Sequence, residues 1–352
     1  MGPRQGFVSR TIEQLRQGIS RLRRTVATVT ALRVRWISLF AVALSLALLF
    51  QACGGTGSST ASYDGTGEKA AETSTPSDAT AAQTEGASSD GSSNINTLAQ
   101  EHSGDKPTPP PIAMAEPSVP VTGQSVTYAT VEGQPVTGYL AQPEGTAEDA
   151  ALPAIMTIHE WWGLNENIEA MTRRLAGEGY TVLAVDLYGN EIATTPDAAR
   201  DLMRSVMDTP GPAQDNINQA AQFLTNSYGA PTIGSIGWCF GGNWSLRTGL
   251  LLERLDAMAI YYGQLILAPE VLDGLDMPII GFFGEDDSSI PVADVTNFES
   301  MLNDLGKTAD INLYPGVGHA FANPSGQNYN AAAAEDAWDK TVAFFAAHLQ
   351  GA

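Results

Sequence analysis

The C-terminal two thirds of the chain predicts an α/β fold: a doubly wound, mostly parallel sheet opened by an N-terminal β-hairpin. Three observations carry this. From about Val119 onward, apolar runs alternate with segments of helical periodicity. The runs are almost continuously apolar, as strands buried on both faces must be, and strand–helix alternation builds a parallel sheet covered on both sides. The stretch holds about 230 residues with no internal repeat, enough to bury one large core.

Taken in chain order, β-branched and aromatic residues over 125–131 and 135–141 flank Glu132-Gly133-Gln134 and predict the hairpin. Further strands are expected over 154–159, 181–186, 233–238, 257–262, 278–283 and 310–314. The helical patterns fall over 165–176, 196–207, 212–227, 241–252, 292–305 and 332–349. Right-handed crossovers between them give the doubly wound arrangement.

Ahead of this 119–352 domain the chain has two other regions. Residues 1–53 carry eight arginines before Trp36, then 17 residues without a charge up to Ala52. That pattern is an export signal or an anchor, and its apolar core is shorter than the roughly 20 residues of a full span. Phe50-Gln51-Ala52-Cys53-Gly54-Gly55 resembles a bacterial lipoprotein box, which would make Cys53 a lipidation site; an uncleaved anchor and plain secretion are the alternatives. Residues 54–118 are rich in Gly, Ser, Thr, Ala and Pro, too poor in apolar surface to offset ordering entropy, and predict a flexible tether. The expectation is an exported, membrane-anchored monomer facing the periplasm or the cell exterior, touching the membrane only through its N-terminus.

Charge narrows the partners. After Cys53 there are 10 basic and 38 acidic residues, a formal charge of −28. Nucleic acid is excluded as a partner, since phosphate binding needs a basic footprint. Four lysines in 352 residues suit either a surface adapted to salt or an ordinary acidic one.

The chemistry concentrates at Ile233-Gly234-Ser235-Ile236-Gly237-Trp238-Cys239-Phe240-Gly241-Gly242, where an expected strand runs through G-x-C-x-G into an expected helix. This is a nucleophile elbow with cysteine as the nucleophile: the turn is strained, and glycines two before and two after remove side chains that would clash. The helix N-terminus also favours a thiolate. A buried structural cysteine beside a turn is the plain alternative. The N–H of Phe240, next after the nucleophile, points where an oxyanion would develop.

A thiol nucleophile needs a base, and only His102, His159, His319 and His348 exist. His102 lies in the tether and His348 in the last helical turn. His319 follows the last strand on the loop Pro315-Gly316-Val317-Gly318, at the sheet end where α/β folds place ligands. An acid to orient it is expected after the preceding strand, where Glu285, Asp286 and Asp287 compete, and where an aspartate also suits a helix cap.

These motifs, with His159-Glu160-Trp161-Trp162-Gly163-Leu164-Asn165, Asp186-Leu187-Tyr188, Asp287 with Pro291, and Gly318-His319-Ala320-Phe321, resemble the dienelactone hydrolase (carboxymethylenebutenolidase) family of α/β-hydrolases from about Val126 to the C-terminus. The resemblance implies an α/β-hydrolase fold and selects Asp287, four residues before the proline, to complete the triad Cys239, Asp287, His319. It implies that Glu160 holds the thiol while the site is empty, that Trp161 is the second oxyanion donor, and that Trp161 and Trp162 wall the pocket. It also exposes a departure. Family members that open dienelactones carry an arginine four residues after the histidine to hold the substrate carboxylate; here Asn323 stands there, and Arg200 or Arg204 would have to supply a cation.

The reading is a thiol hydrolase of small esters or lactones, working through an acyl-enzyme without cofactor or metal. H-E-x-x-H is absent because Gly163 occupies the second histidine position. A catalytically silent binding module on the same fold is the alternative. A redox sensor lacks a resolving cysteine near Cys239.

Overall fold

In the computed structural model, residues 97, 98, 100–102, 104, 105 and 116–351 are described. The expected export signal or anchor, Cys53 and most of the expected tether lie outside them.

The opening hairpin forms where expected. Strand β1 (Val121–Val131) pairs antiparallel with β2 (Gln134–Pro143), and Val131 faces Gln134 across a two-residue turn. Glu132 (φ 49°) and Gly133 (φ 77°) are both left-handed, the turn whose twist matches that of paired strands. Both strands outrun their apolar cores, because backbone pairing continues where side chains are already exposed.

Six parallel strands follow: β3 (Ala154–Ile158), β4 (Thr181–Val185), β5 (Ile233–Trp238), β6 (Ala257–Tyr261), β7 (Ile279–Gly284) and β8 (Ala309–Tyr314). The sheet order is β1-β2-β4-β3-β5-β6-β7-β8. Every residue of β3 to β7 is buried, which is why their sequences read as apolar runs. The helices are α1 (Glu166–Gly177), α2 (Pro196–Asp208), α3 (Gly211–Tyr228), α4 (Phe240–Leu251), α5 (Pro269–Leu272), α6 (Val292–Asp304) and α7 (Ala331–Phe345). Only α5 escaped the sequence pattern, being four residues long and too short to show a period. The last helix was expected to run unbroken to 349, but it widens into a π-helical turn at Ala346–Gln350.

Strand order positions the site. From β3 the chain winds to β4 on one side and later to β5 on the other, so winding reverses between β3 and β5. At such a switch point the loops leaving the two strands diverge and open a crevice beyond their C-terminal ends. Those loops begin with His159-Glu160-Trp161 and with Cys239.

One expectation needs correcting. The tether was expected to run freely to 118, yet its described residues around 97–105 form a helical turn docked on the domain. His102 N–H donates to the Leu98 carbonyl at 3.1 Å, and the two side chains are 1% and 8% exposed. This leader is ordered by one apolar anchor and specific polar contacts, which composition does not register.

Candidate active site

The elbow after β5 is as tight as its glycines suggested. Cys239 has φ 56° and ψ −116°, outside the comfortable range of a side-chain-bearing residue. A Cβ on Gly237 would lie 2.0 Å from the Gly241 carbonyl oxygen, and one on Gly241 would lie 2.2 Å from that of Ile158. Cys239 is thereby held at the start of α4, buried and unpaired. Phe240 is the first residue of α4, where an N–H has no carbonyl partner one turn earlier in the helix.

The acid and histidine loops are laced together. Glu285 N–H donates to the Tyr314 carbonyl and Asp286 N–H to that of Val317, both at 2.9 Å. This presents Asp287 to His319: Nδ1 of the imidazole donates to Oδ2 at 2.7 Å. The other oxygen, Oδ1, accepts the N–H groups of Ser289 and Ile290 at 2.8 and 2.9 Å. Asp287 therefore both orients the imidazole and caps its own turn, whereas Asp286 is exposed. A ring nitrogen of His319 lies within 4.8 Å of Sγ, and with Nδ1 committed to Asp287, Nε2 is the one left for the thiol.

His102 arrives from the leader. Its Nε2 lies 3.6 Å from Sγ of Cys239, and its Nδ1 pairs with Asp105 Oδ2 at 2.5 Å. Its ring lies 4.9 Å from that of Trp161 and 5.1 Å, edge-on, from that of His319. Glu101 ties the leader to the acid loop, accepting from Ser288 N–H at 3.0 Å, from the Ser288 hydroxyl, and from the Ser289 hydroxyl at 3.0 Å. Gln327 completes the attachment through Glu101 O at 2.8 Å and Asp105 Oδ1 at 3.0 Å. A cavity of about 630 Å³ beside Glu101, Ser288, Gln327 and Asn328 reaches His319 and stops short of Cys239.

The electrostatics follow from this crowding. Burial works against ionising the Cys239 thiol, but the nearby charge on His319, the hydrogen bond with His102 and the charge on His102 outweigh it, lowering the pKa to about 6. Burial likewise disfavours a charged His102, yet Asp105 and the thiol carry it up to about 9. His319 faces the same burial penalty and is raised well above the ordinary histidine value by Asp287 and the thiolate. These surroundings favour the thiolate form of Cys239 and the protonated forms of the two imidazoles beside it.

Glu160 does not play its expected part. Its Oε2 accepts from Asn323 Nδ2 at 2.7 Å, while Oε1 has no hydrogen-bond partner. Burial first, then the charge on Cys239, raises its pKa to about 8. Sγ is paired with His102 instead. Asn323 is correspondingly unavailable as a substrate anchor, its Oδ1 accepting from the Ser325 N–H and hydroxyl at 2.9 and 2.6 Å. Arg200 is bound to Asp197 on its own helix at 2.5 Å, and Arg204 lies one turn further along α2. Trp161 and Trp162 are both buried, with rings 4.9 Å apart, and the Trp161 ring also lies 4.9 Å from that of His102. His159 is buried too: Nδ1 donates to the Glu160 carbonyl at 2.6 Å and Nε2 accepts from Leu187 N–H at 3.1 Å. Burial lowers its pKa, so it is a neutral brace for the loop.

The structure thus brings together Cys239, Asp287, His319, Glu160, Asn323 and Trp161, and adds His102 and Asp105. No pattern in the sequence singled out that pair; a histidine three residues before an aspartate in a polar segment is the only trace.

Comparison with known proteins identifies the family and the fold. Residues 136–349 match the profile of the dienelactone hydrolase family. The Aquifex pyrophilus protein usf is 32% identical over 235 residues, 64% of this chain and 99% of its own. A carboxymethylenebutenolidase-like protein of Synechocystis is 32% identical over 245 residues, covering 64% and 97%. Among solved structures, a dienelactone hydrolase-like protein from Klebsiella pneumoniae superposes with a TM-score of 0.58 at 24% identity, covering 64% of this chain and 99% of that one. A dienelactone hydrolase-like promiscuous phosphotriesterase from metagenomic libraries gives 0.59 at 19% identity, covering 65% and 98%.

Proposed function

The chain belongs to the dienelactone hydrolase family and is a hydrolase acting on esters or lactones, and from that premise we propose that it works through a Cys239–His319–Asp287 triad and a thioester acyl-enzyme. The observation that carries the proposal is the chain of contacts from Asp287 Oδ2 through both nitrogens of His319 toward Sγ at a helix N-terminus.

In this mechanism the Cys239 thiolate attacks the carbonyl carbon and the new oxyanion is received by the N–H groups of Phe240 and Trp161. The tetrahedral adduct collapses, the C–O bond to the leaving group breaks, and the His319 imidazolium gives that oxygen its proton. A water then enters, His319 takes one of its protons, and the hydroxide attacks the thioester. Collapse returns the carboxylic acid product and the thiolate, with the proton again on His319. Asp287 keeps the imidazole in one tautomer and stabilises its charge throughout. No arginine faces the thiol in the described contacts, and Asn323 is turned to Glu160, which supports an uncharged acyl group over a dienelactone carboxylate.

We also propose that the protein is exported and membrane-tethered; the support is the arginine-rich start, the apolar run and Cys53, all outside the described residues.

The test is turnover of a short-chain aryl ester and of dienelactone by the purified chain with a chelator present, beside Cys239→Ala. Ester turnover that vanishes in the variant supports the triad. A folded protein without cysteine-dependent turnover of either compound overturns it and leaves a binding module on the same fold.

A further inference from the structure

The leader does more to the thiol than cover it. Three potential ligand atoms, one each from Cys239 (Sγ), His102 and His319 (a ring nitrogen), lie within 4.8 Å of one another, and all three residues are buried. We propose that they form a binding site for a borderline-soft divalent cation, Zn²⁺ foremost, whose occupation pins the leader across the active site and silences the thiol.

The spacing fits. Zinc bonds of about 2.3 Å to sulfur and about 2.0–2.1 Å to nitrogen, in a tetrahedron, set sulfur and nitrogen ligands about 3.6 Å apart. The 3.6 Å between Sγ and His102 Nε2 already has that value. His319 Nε2, which makes no hydrogen bond, has only to close a small remaining gap.

The orientation fits as well. A metal-binding imidazole almost always gives its other ring nitrogen to a carboxylate, which fixes the tautomer and raises ligand basicity. Here both do so: His102 Nδ1 on Asp105 at 2.5 Å and His319 Nδ1 on Asp287 at 2.7 Å. One such pair serves the hydrolytic mechanism. A second, aimed at the same sulfur from a separate segment, has no task in it.

One thiolate and two imidazoles are a donor set for zinc, and three protein ligands leave a fourth position to water or a carboxylate. Glu160, whose carboxyl feels the charges of Cys239, His102 and His319, keeps Oε1 without a partner and is the candidate for that position. A second cluster, Glu101 with Asp287 and Nδ1 of His319, is the poorer choice, since a cation there must break the Asp287–His319 bond.

The consequence is mutual exclusion. A bound cation takes the sulfur lone pair needed for attack and the His319 nitrogen needed for proton transfer. The protons on the two imidazoles leave to solvent as it binds, with no change of oxidation state. Through His102 the same cation fastens the leader. Binding itself is independent of the hydrolase reading; only the silencing rests on it.

The test uses the full purified chain, stripped with a chelator, titrated with Co²⁺ and then back-titrated with Zn²⁺. A thiolate-to-cobalt charge-transfer band with tetrahedral visible bands, displaced by zinc, is expected. His102→Ala should weaken cobalt binding by about tenfold or more. Asp105→Asn, which keeps the imidazole and removes its carboxylate, should weaken it by a smaller factor and serves if His102→Ala fails to fold. In the activity arm, zinc should abolish ester turnover and chelator restore it. No band in folded wild type, or His102→Ala and Asp105→Asn both binding as tightly as wild type, overturns the site. A band without inhibition overturns the silencing and removes Cys239 from catalysis, while leaving the site itself standing.

Discussion

Two imidazole–carboxylate pairs face one sulfur, and they are built by different means. His319–Asp287 stands on loops leaving β8 and β7, laced by backbone hydrogen bonds to a sheet whose inner strands are wholly buried. His102–Asp105 stands on a leader attached through Glu101, Ser288, Ser289 and Gln327, contacts worth about 1 kcal/mol each net of water. The first pair cannot leave the thiol without disrupting the core. The second is held with the low local stability typical of switching segments. Equal proximity to a nucleophile therefore does not mean equal permanence.

The comparison can be broken at several strengths. Cys239→Ala removes the shared target and should lower kcat/KM by about 10⁴-fold or more, measured on an aryl ester. Asp287→Asn should cost about 10³–10⁴-fold, because the imidazole loses its enforced tautomer, whereas Asp105→Asn should cost far less if only the sheet-borne pair relays protons. Equal losses in the two would erase the distinction. Gly241→Ala, whose Cβ meets the Ile158 carbonyl oxygen at 2.2 Å, should destabilise the fold by about 3 kcal/mol in denaturant unfolding.

A finer test reads the thiolate. With chelator present, the alkylation rate of wild-type Cys239 should rise with pH about a midpoint near 6. The sign in His102→Ala follows from charge: removing an imidazolium beside the sulfur disfavours the thiolate, so the midpoint should move up, by about one unit or more. An unmoved midpoint would make His102 a bystander. Arg200→Gln should be the smallest effect, changing kcat/KM less than about twofold, since its guanidinium is spent on an exposed pair with Asp197. A large rise in KM would instead return Arg200 to the substrate.

Much of this was legible because it is local. The strands of 154–158, 233–238 and 279–284 announce themselves because burial on both faces demands unbroken apolar runs. Gly237 and Gly241 mark the elbow because no Cβ fits there. His319 stood out by its position just past the last strand, whereas Glu285, Asp286 and Asp287 competed for the acid until the family resemblance selected Asp287, four residues before Pro291. The roles of Glu160 and Asn323 were not legible: that Asn323 Nδ2 reaches Glu160 rather than a substrate depends on two loops 163 residues apart in the chain.

By itself, then, the amino-acid order determined the doubly wound sheet, the tight elbow at Cys239 and the position of His319 just past the last strand, because side-chain periodicity and backbone sterics act over a few residues. Only the tertiary structure decided what surrounds the sulfur. Leu98, Glu101, His102 and Asp105 sit in a segment whose composition reads as solvated chain, and they acquire partners only once the loops after β7 and β8 are in place to receive them. Long-range hydrogen bonding between polar side chains leaves no period and no apolar stripe, so its outcome appears only when the chain has folded.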